Sequence, residues 1–325
     1  MEKILVTGGC GFIGSNFIRM LLRETGIEVV NFDLLTYAGN PNNLKGIAQN
    51  PGWKKRYKFV KGDIADPKTV SMALDGVDTV FNFAAESHVD NSIRDASAFV
   101  RTNVQGTKNM VECAMKAGVQ RLLQVGTDEV YGSVEKGSSK ETDRLEPRNP
   151  YSATKAASDL IAMSYCTTFG FDVVVTRSSN NYGPYQYPEK VIPLFVTNLI
   201  EGKKVPLYGD GKNVRDWLHV DDNCRGILLA GQKGKKGGIY NIGGGNEVRN
   251  IELTRKIISL MGKGEEMILP VEDRKGHDLR YSLDSTKMHS LGWKAQKKFD
   301  DGLKETVQWY RDNEAWWKPL KEART

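Results

Sequence analysis

Apolar residues along this chain recur in two alternating patterns. Short, mainly apolar runs at 3–7, 27–32, 57–61, 79–83, 122–125 and 173–175 have the length and bounding turns of buried strands. Between several of them lie segments of helical spacing: one runs through about Leu22, one covers about 96–116, and one covers about 150–168. Strands alternating with helices at these intervals predict an α/β fold, a right-handed, doubly wound parallel sheet of Rossmann type. In such a sheet ligands bind beyond the carboxyl ends of the strands. The residues just after each run therefore deserve the chemistry.

Past Val175 the pattern changes. Asn180-Asn181-Tyr182-Gly183-Pro184-Tyr185 reads as a loop dense in turn formers and side-chain amides. Helical spacing follows over 189–202, 221–230, 251–261 and 300–312, with short strand-like runs at 205–208 and 239–242. This predicts a large domain over 1–179 and a smaller α/β substrate domain over 180–325, some of whose segments return to the large sheet.

The first strand is followed by Gly8-Gly9-Cys10-Gly11-Phe12-Ile13-Gly14 and then a helix. Missing side chains there let the backbone approach a pyrophosphate at the positive helix N-terminus. The spacing alone is cheap: it recurs at Gly231, Gly234 and Gly237, in a Lys-rich loop with no strand before it. What sets the first copy apart is Asp33, which ends the second strand nineteen residues after Gly14. An acidic residue there accepts hydrogen bonds from the adenosine ribose and repels a 2′-phosphate, so it predicts NAD over NADP. Leu34, next to Asp33, extends that expected cofactor site. Further strand ends add Asp63-Ile64 and Phe83-Ala84-Ala85. Asp63 is read as an acceptor for the adenine amine, with a helix cap for the segment after Asp66-Pro67 as the competing reading. His88 receives no chemical role.

The strand at 122–125 is expected to stop at Gly126 and to present Thr127, Asp128 and Glu129 together at the sheet edge. Two adjacent carboxylates are costly if dry and unpaired, so solvated charge on an exposed turn is the competing explanation. Tyr-x-x-x-Lys occurs three times, as Tyr57/Lys61 in a strand, Tyr208/Lys212 across a turn, and Tyr151/Lys155 opening a helix. Only on a helix do residues four apart share a face, which singles out Tyr151 and Lys155.

Composition narrows the partners. A net charge of +6 with scattered Lys and Arg fits an anionic small molecule and lacks the basic face with interleaved aromatics that nucleic acid calls for. Cys10, Cys113, Cys166 and Cys224 are far apart, with no metal-ligand spacing, and read as reduced thiols. No run approaches a membrane span and no signal peptide is legible, so the cytoplasm is the expected compartment. Arg215, Arg274, His277 and Arg280 are candidate diphosphate partners, since Arg offers a planar fork of donors.

TGGCGFIGS, AAESHVD, TDEVYG, PYSATKA, SSNNYGPY, RDWLHVDD and DRKGHDLRY resemble, in order and over nearly the whole chain, the dTDP-glucose 4,6-dehydratases of the extended short-chain dehydrogenase/reductase family. The resemblance implies a lyase with bound NAD, a nucleotide-diphosphate-sugar substrate, and a homodimer paired through helices of the large domain. By matching positions, it implies Thr36, Thr102 and Asn181 near NAD. Near substrate it implies Ser87, Asn180, Lys190, Arg215, Asn250 and His277, a set extended by Thr127, Val191, Pro206, Tyr208 and Arg274. In this expectation Tyr151 takes the proton of the carbon 4 hydroxyl, with Lys155 and the positive nicotinamide lowering its pKa. Glu129 is the base at carbon 5, protonated Asp128 the acid at carbon 6, and Thr127 polarises the oxygen at carbon 4. A 4-epimerase is the nearest rival, and a UDP-glucose 4,6-dehydratase shares the chemistry but not the nucleotide. Three positions depart from the usual pattern: Gly126 for Ser, Asn91 for Arg and Lys275 for Pro.

Overall fold

The computed structural model describes residues 1–274 and 276–322, so the departure at Lys275 lies outside the described residues. The expected strands form as β1 (Lys3–Thr7), β2 (Glu28–Asp33), β3 (Tyr57–Lys61), β4 (Thr79–Asn82), β5 (Arg121–Thr127) and β6 (Val173–Ser178). They are followed by β7 (Asn180–Tyr182), β8 (Val205–Tyr208), β9 (Val214–His219), β10 (Ile239–Ile242), β11 (Glu247–Arg249) and β12 (Ile268–Val271). Seven strands make one sheet in the order β3-β2-β1-β4-β5-β6-β10, and every pair in it is parallel. The sheet is a doubly wound Rossmann sheet, and its strand order reverses between β1 and β4, where such folds open a crevice for ligands.

The central strands are apolar on both faces because helices cover both faces. Ile4, Val6, Phe81, Leu123 and Val174 pack to one side with Phe17, Ile18 and Leu21 of the Phe12–Glu24 helix. On the other side, Leu5, Val30, Val80, Leu122 and Val175 pack with Met110, Val111 and Ala162. A separate core gathers Ile192, Phe195, Trp217, Leu253, Ile257, Leu303 and Trp317 beneath two small sheets, β11-β9-β7 and β12-β8. β10 comes from the far half of the sequence yet pairs with β6, Ile239 opposite Val175.

Three local expectations need correction. β5 does not stop at Gly126; it continues through Thr127, in register with Arg177 and Ser178 of β6. A Cβ at Gly126 would lie 2.7 Å from the Thr176 carbonyl oxygen, so a larger residue cannot enter without moving the neighbouring strand. The helix expected over 96–116 carries a π-helical stretch at Val100–Gly106 before regular helix resumes at Thr107–Lys116. That wide turn is a feature often found at functional sites. Finally, Asn180–Tyr182 is a strand, because its backbone pairs with Trp217–His219, more than thirty residues away. Local composition cannot reveal such a partner.

Candidate active site

The glycine-rich turn is built by close contacts. Gly8 has φ +64°, and a Cβ on it would sit 2.8 Å from the Ala84 nitrogen; a Cβ on Gly14 would sit 2.4 Å from the Gly8 oxygen. The Phe12–Glu24 helix starts at Gly11 with no side-chain cap and no acidic residue in its first turn. Its leading N–H groups and positive dipole end are therefore left for an anion. Asp33 orders this turn, its carboxylate accepting from Cys10 N at 2.8 Å and Leu35 N at 2.7 Å. Burial pushes its pKa up, and those two N–H donors oppose the shift. Of the two acids weighed at the next strand end, Asp66 is the helix cap, accepting from Lys68 N, whereas Asp63 accepts from Ala65 N and pairs with Arg101 at 2.7 Å.

A cavity of about 320 Å³ opens over these strand ends. Gly8, Gly11, Phe12, Ile13 and Gly14 line it with Asp33, Leu34 and Thr36 from the next loop. Asp63, Ile64, Phe83, Ala84, Ala85, Ser87 and Thr102 continue the wall, and Asn181 closes it. Thr127, Asp128, Glu129, Tyr151 and Lys155 stand at its inner end. A second cavity, of about 230 Å³, lies beside the first and shares Ser87, Glu129, Asn180, Glu189 and Lys190 with it. It holds Val191, Pro206, Tyr208, Arg215, Asn250, Arg274 and His277. Only Arg280, of the four candidate diphosphate partners, is elsewhere: it forms a two-pronged ion pair with Glu247, both contacts 2.7 Å. Sequence reasoning also missed Glu86, Gln186, Tyr187 and Glu189 on the first cavity and His88, Asp90 and Tyr281 on the second. Their positions depend on chain crossings that local pattern does not record.

Asp128 and Glu129 begin a short 3-10 turn at the end of β5, capped by the Thr127 hydroxyl, which accepts from Glu129 N at 3.3 Å. Asp128 is 3% exposed, and its Oδ2 has no hydrogen-bond partner. Burial, then Glu129 and Asp216, push its pKa well up, with Arg215 and the Thr127 hydrogen bond opposing. Glu129 is also raised by burial, but Arg215, Lys190 and Arg274 pull it back toward the charged form. Adjacent carboxylates thus sit in different fields. The acid nearer like charges holds its proton more firmly.

Asn149 accepts from Ser152 N, Ser152 Oγ answers Asn149 N, and Pro150 fills the first turn, so the Pro150–Phe169 helix has a strong start. That start aims Tyr151 and, one turn on, Lys155 at the end of β5. Lys155 Nζ donates to the Val125 carbonyl at 2.6 Å, and burial lowers its pKa, with Asp159 opposing. Burial first and Glu129 second push the Tyr151 phenol above the ordinary tyrosine range, and a hydrogen bond with Thr127 is the main opposing influence. Over the second cavity, Arg215 lies 4.3 Å from the Tyr281 ring centroid and donates to the Val214 and Asp278 carbonyls. Arg274 pairs with Asp90 at 2.6 Å, and His277 Nδ1 lies 2.7 Å from Asp273. Among the described residues no cluster of His, Cys, Asp and Glu is arranged to hold a metal ion.

An uncapped helix end behind a glycine turn, at the switch point of a seven-stranded parallel sheet, defines a dinucleotide-binding Rossmann fold. The chain belongs to the GDP-mannose 4,6 dehydratase family, whose sequence pattern matches residues 5–306. It is 51% identical to the dTDP-glucose 4,6-dehydratase of Streptomyces niveus, over 98% of this chain and 96% of the relative. DesIV, a dTDP-glucose 4,6-dehydratase of Streptomyces venezuelae crystallised with NAD bound, superposes with a TM-score of 0.95 at 54% identity, covering 98% of this chain and all of that one. A UDP-glucose 4-epimerase of Thermus thermophilus, solved in complex with NAD, superposes at 0.88 with 31% identity, over 96% of this chain and all of the other. Fold alone therefore does not separate dehydration from epimerisation.

Proposed function

We propose that this chain is an NAD-dependent nucleotide-sugar 4,6-dehydratase, a hydro-lyase that converts dTDP-glucose to the 4-keto-6-deoxy sugar. The observation that carries the reading is the carboxylate pair Asp128-Glu129, both lining the first cavity with Glu129 also lining the second, in fields that hold one proton more firmly than the other. Epimerisation at carbon 4 has no use for such a pair. The glycine cradle, the uncapped helix end and Asp33 suit a dinucleotide without a 2′-phosphate. Held by the glycine turn and Asp33, NAD would supply the reversible hydride chemistry that moves hydrogen from carbon 4 of the hexose to carbon 6.

The chain's own residues move the protons. Tyr151 takes the carbon 4 hydroxyl proton, and because burial raises its pKa it needs a cation near its oxygen to do so. Lys155 is placed to provide one by exchanging its contact with the Val125 carbonyl. A ketone at carbon 4 makes the hydrogen on carbon 5 acidic, and Glu129, kept toward the charged form by three cations, removes it and returns a proton to carbon 5 as carbon 6 is reduced. Asp128, holding its proton, gives it to the departing hydroxyl of carbon 6. Thr127 donates to the oxygen on carbon 4, where negative charge builds. Each proton transfer contributes about 100-fold to 10,000-fold in rate. Arg215, Arg274, Lys190 and His277 face the diphosphate in this reading, with Ser87, Asn180, Val191, Pro206, Tyr208 and Asn250 completing the substrate wall.

The same reading has two chains pair through helices of the large domain. Val100 and Leu160, on packed neighbouring helices, are more than half exposed apolar side chains that such pairing covers. Its compartment is the cytoplasm, where the four free thiols stay reduced; among the described residues no helix is long and apolar enough to cross a membrane. Incubation with dTDP-glucose and UDP-glucose, followed by weighing the products, tests the reaction. The expected result is loss of one water, faster from the dTDP sugar. A product of unchanged mass makes the enzyme an epimerase, and equal turnover of both sugars removes the nucleotide assignment. A single methyl group is worth only about 1–3 kcal/mol in such a pocket.

A further inference from the structure

Among the described residues, two that are not glycine have positive φ: Leu35 at 61° and Tyr185 at 68°. Side-chain-bearing residues rarely adopt that backbone, and where they do the surroundings enforce it, commonly at ligand clamps. Both residues lie in loops that rim the same cavity. Leu35 sits among Leu34, Thr36, Ala38 and Gly39, which line it; Tyr185 immediately precedes Gln186 and Tyr187, which also line it. The first loop leaves the end of β2, the second follows β7, and the two reach each other across the cavity mouth.

Their meeting point is Tyr37. Its hydroxyl donates to Glu189 Oε1 at 3.0 Å, and its ring stands edge-on to Tyr187, centroids 5.4 Å apart at 86°. Tyr37 is 41% exposed whereas the Glu189 side chain is 2% exposed, so the contact runs from the outer rim to a buried carboxylate. Both roots of the clasp are fixed. Leu35 N donates to Asp33, Gly39 N to Thr36 O, and Asn40 N to Cys10 O at 2.9 Å. On the other side Tyr185 is wedged between Trp309 and Trp316 with Arg19 over its ring, and Tyr310 donates to Gln186 O. Two strained, well-anchored loops thus meet at Tyr37, through a hydrogen bond and an aromatic contact.

We infer that the 34–39 and 183–189 loops form a clasp that retains the dinucleotide through the catalytic cycle, with Tyr37 as the positioning residue that closes it. This rests on the reading that NAD is held in the first cavity, and it explains how a cofactor that ends each cycle as it began stays in place between turnovers. Breaking the contact removes an aromatic pair and a hydrogen bond to a carboxylate from the closed state. Departure of the cofactor then no longer waits for them.

The test is cofactor exchange. The full chain and its Tyr37→Ala and Tyr37→Phe variants are loaded with labelled NAD, freed of excess, and chased with unlabelled NAD, and the retained label is followed with time. Tyr37→Ala is expected to release NAD about tenfold faster, equivalent to about 1.4 kcal/mol, with an unchanged melting temperature. Tyr37→Phe, which keeps the ring and loses the hydroxyl, falls between. An Ala variant that releases NAD less than about threefold faster than the unaltered chain overturns the clasp. If the unaltered chain takes up NAD but sheds it as fast as the Ala variant, residence and the clasp fail together. No uptake of NAD by the unaltered chain contradicts the cofactor reading itself.

Discussion

On the sheet side of the site, Asp128 and Glu129 hold ionisable oxygens close together at the end of β5, and Asp128 Oδ2 has no hydrogen-bond partner. On the opposite side, built around β8 and β9, the long cationic side chains already have protein partners: Arg215 on two backbone carbonyls, Arg274 on Asp90. The first wall carries desolvated ionisable groups that cost stability; the second carries charge pre-aligned by neighbours. That contrast separates a wall that does chemistry from one that recognises. Changes on the sheet side are expected to act on kcat, and changes on the opposite side on KM.

The largest effect belongs to Asp128→Asn. It removes the proton donated to the carbon 6 hydroxyl, and kcat is expected to fall about 100-fold to 10,000-fold. A pH profile sharpens the point. In the proposed mechanism Asp128 works protonated, and because burial and Glu129 raise its pKa, activity declines as pH rises through that raised value. Glu129 works charged, so activity declines as pH falls through its own raised pKa, above the usual glutamate range. The unaltered enzyme therefore gives a bell, read as two macroscopic values of the pair. Asp128→Asn keeps the acid limb and loses the alkaline one; survival of both limbs in that variant contradicts the assignment. The smaller effect is that of Arg274→Ala, expected to raise KM for dTDP-glucose about tenfold while kcat stays within a few-fold. Equal losses in kcat and kcat/KM there erase the distinction between the walls.

How much of this was legible in the sequence differs between the walls. The sheet side is local: a strand, a turn and a capped helix, each signalled within about twenty residues, place Gly8, Asp33, Asp128 and Tyr151 at one edge. The opposite side comes from crossings. β7 is a strand only because β9 lies beside it, and β10 joins the large sheet from the far half of the chain. Arg280 looked like Arg215 and Arg274 in sequence, yet Glu247, brought near by the β9-β11 pairing, captures it. Tyr37 and Glu189 carried no motif because their meaning lies in a contact 152 residues apart.

The division of labour between neighbouring carboxylates is tested most directly by Glu129→Gln in a single turnover with dTDP-glucose, followed by the absorbance of reduced nicotinamide. In the proposed mechanism oxidation at carbon 4 does not need Glu129, whereas loss of water does. Reduced nicotinamide is therefore expected to appear and persist, with no dehydrated product. A variant that binds both ligands yet shows no reduced nicotinamide, or one that dehydrates the sugar at the normal rate, contradicts the account.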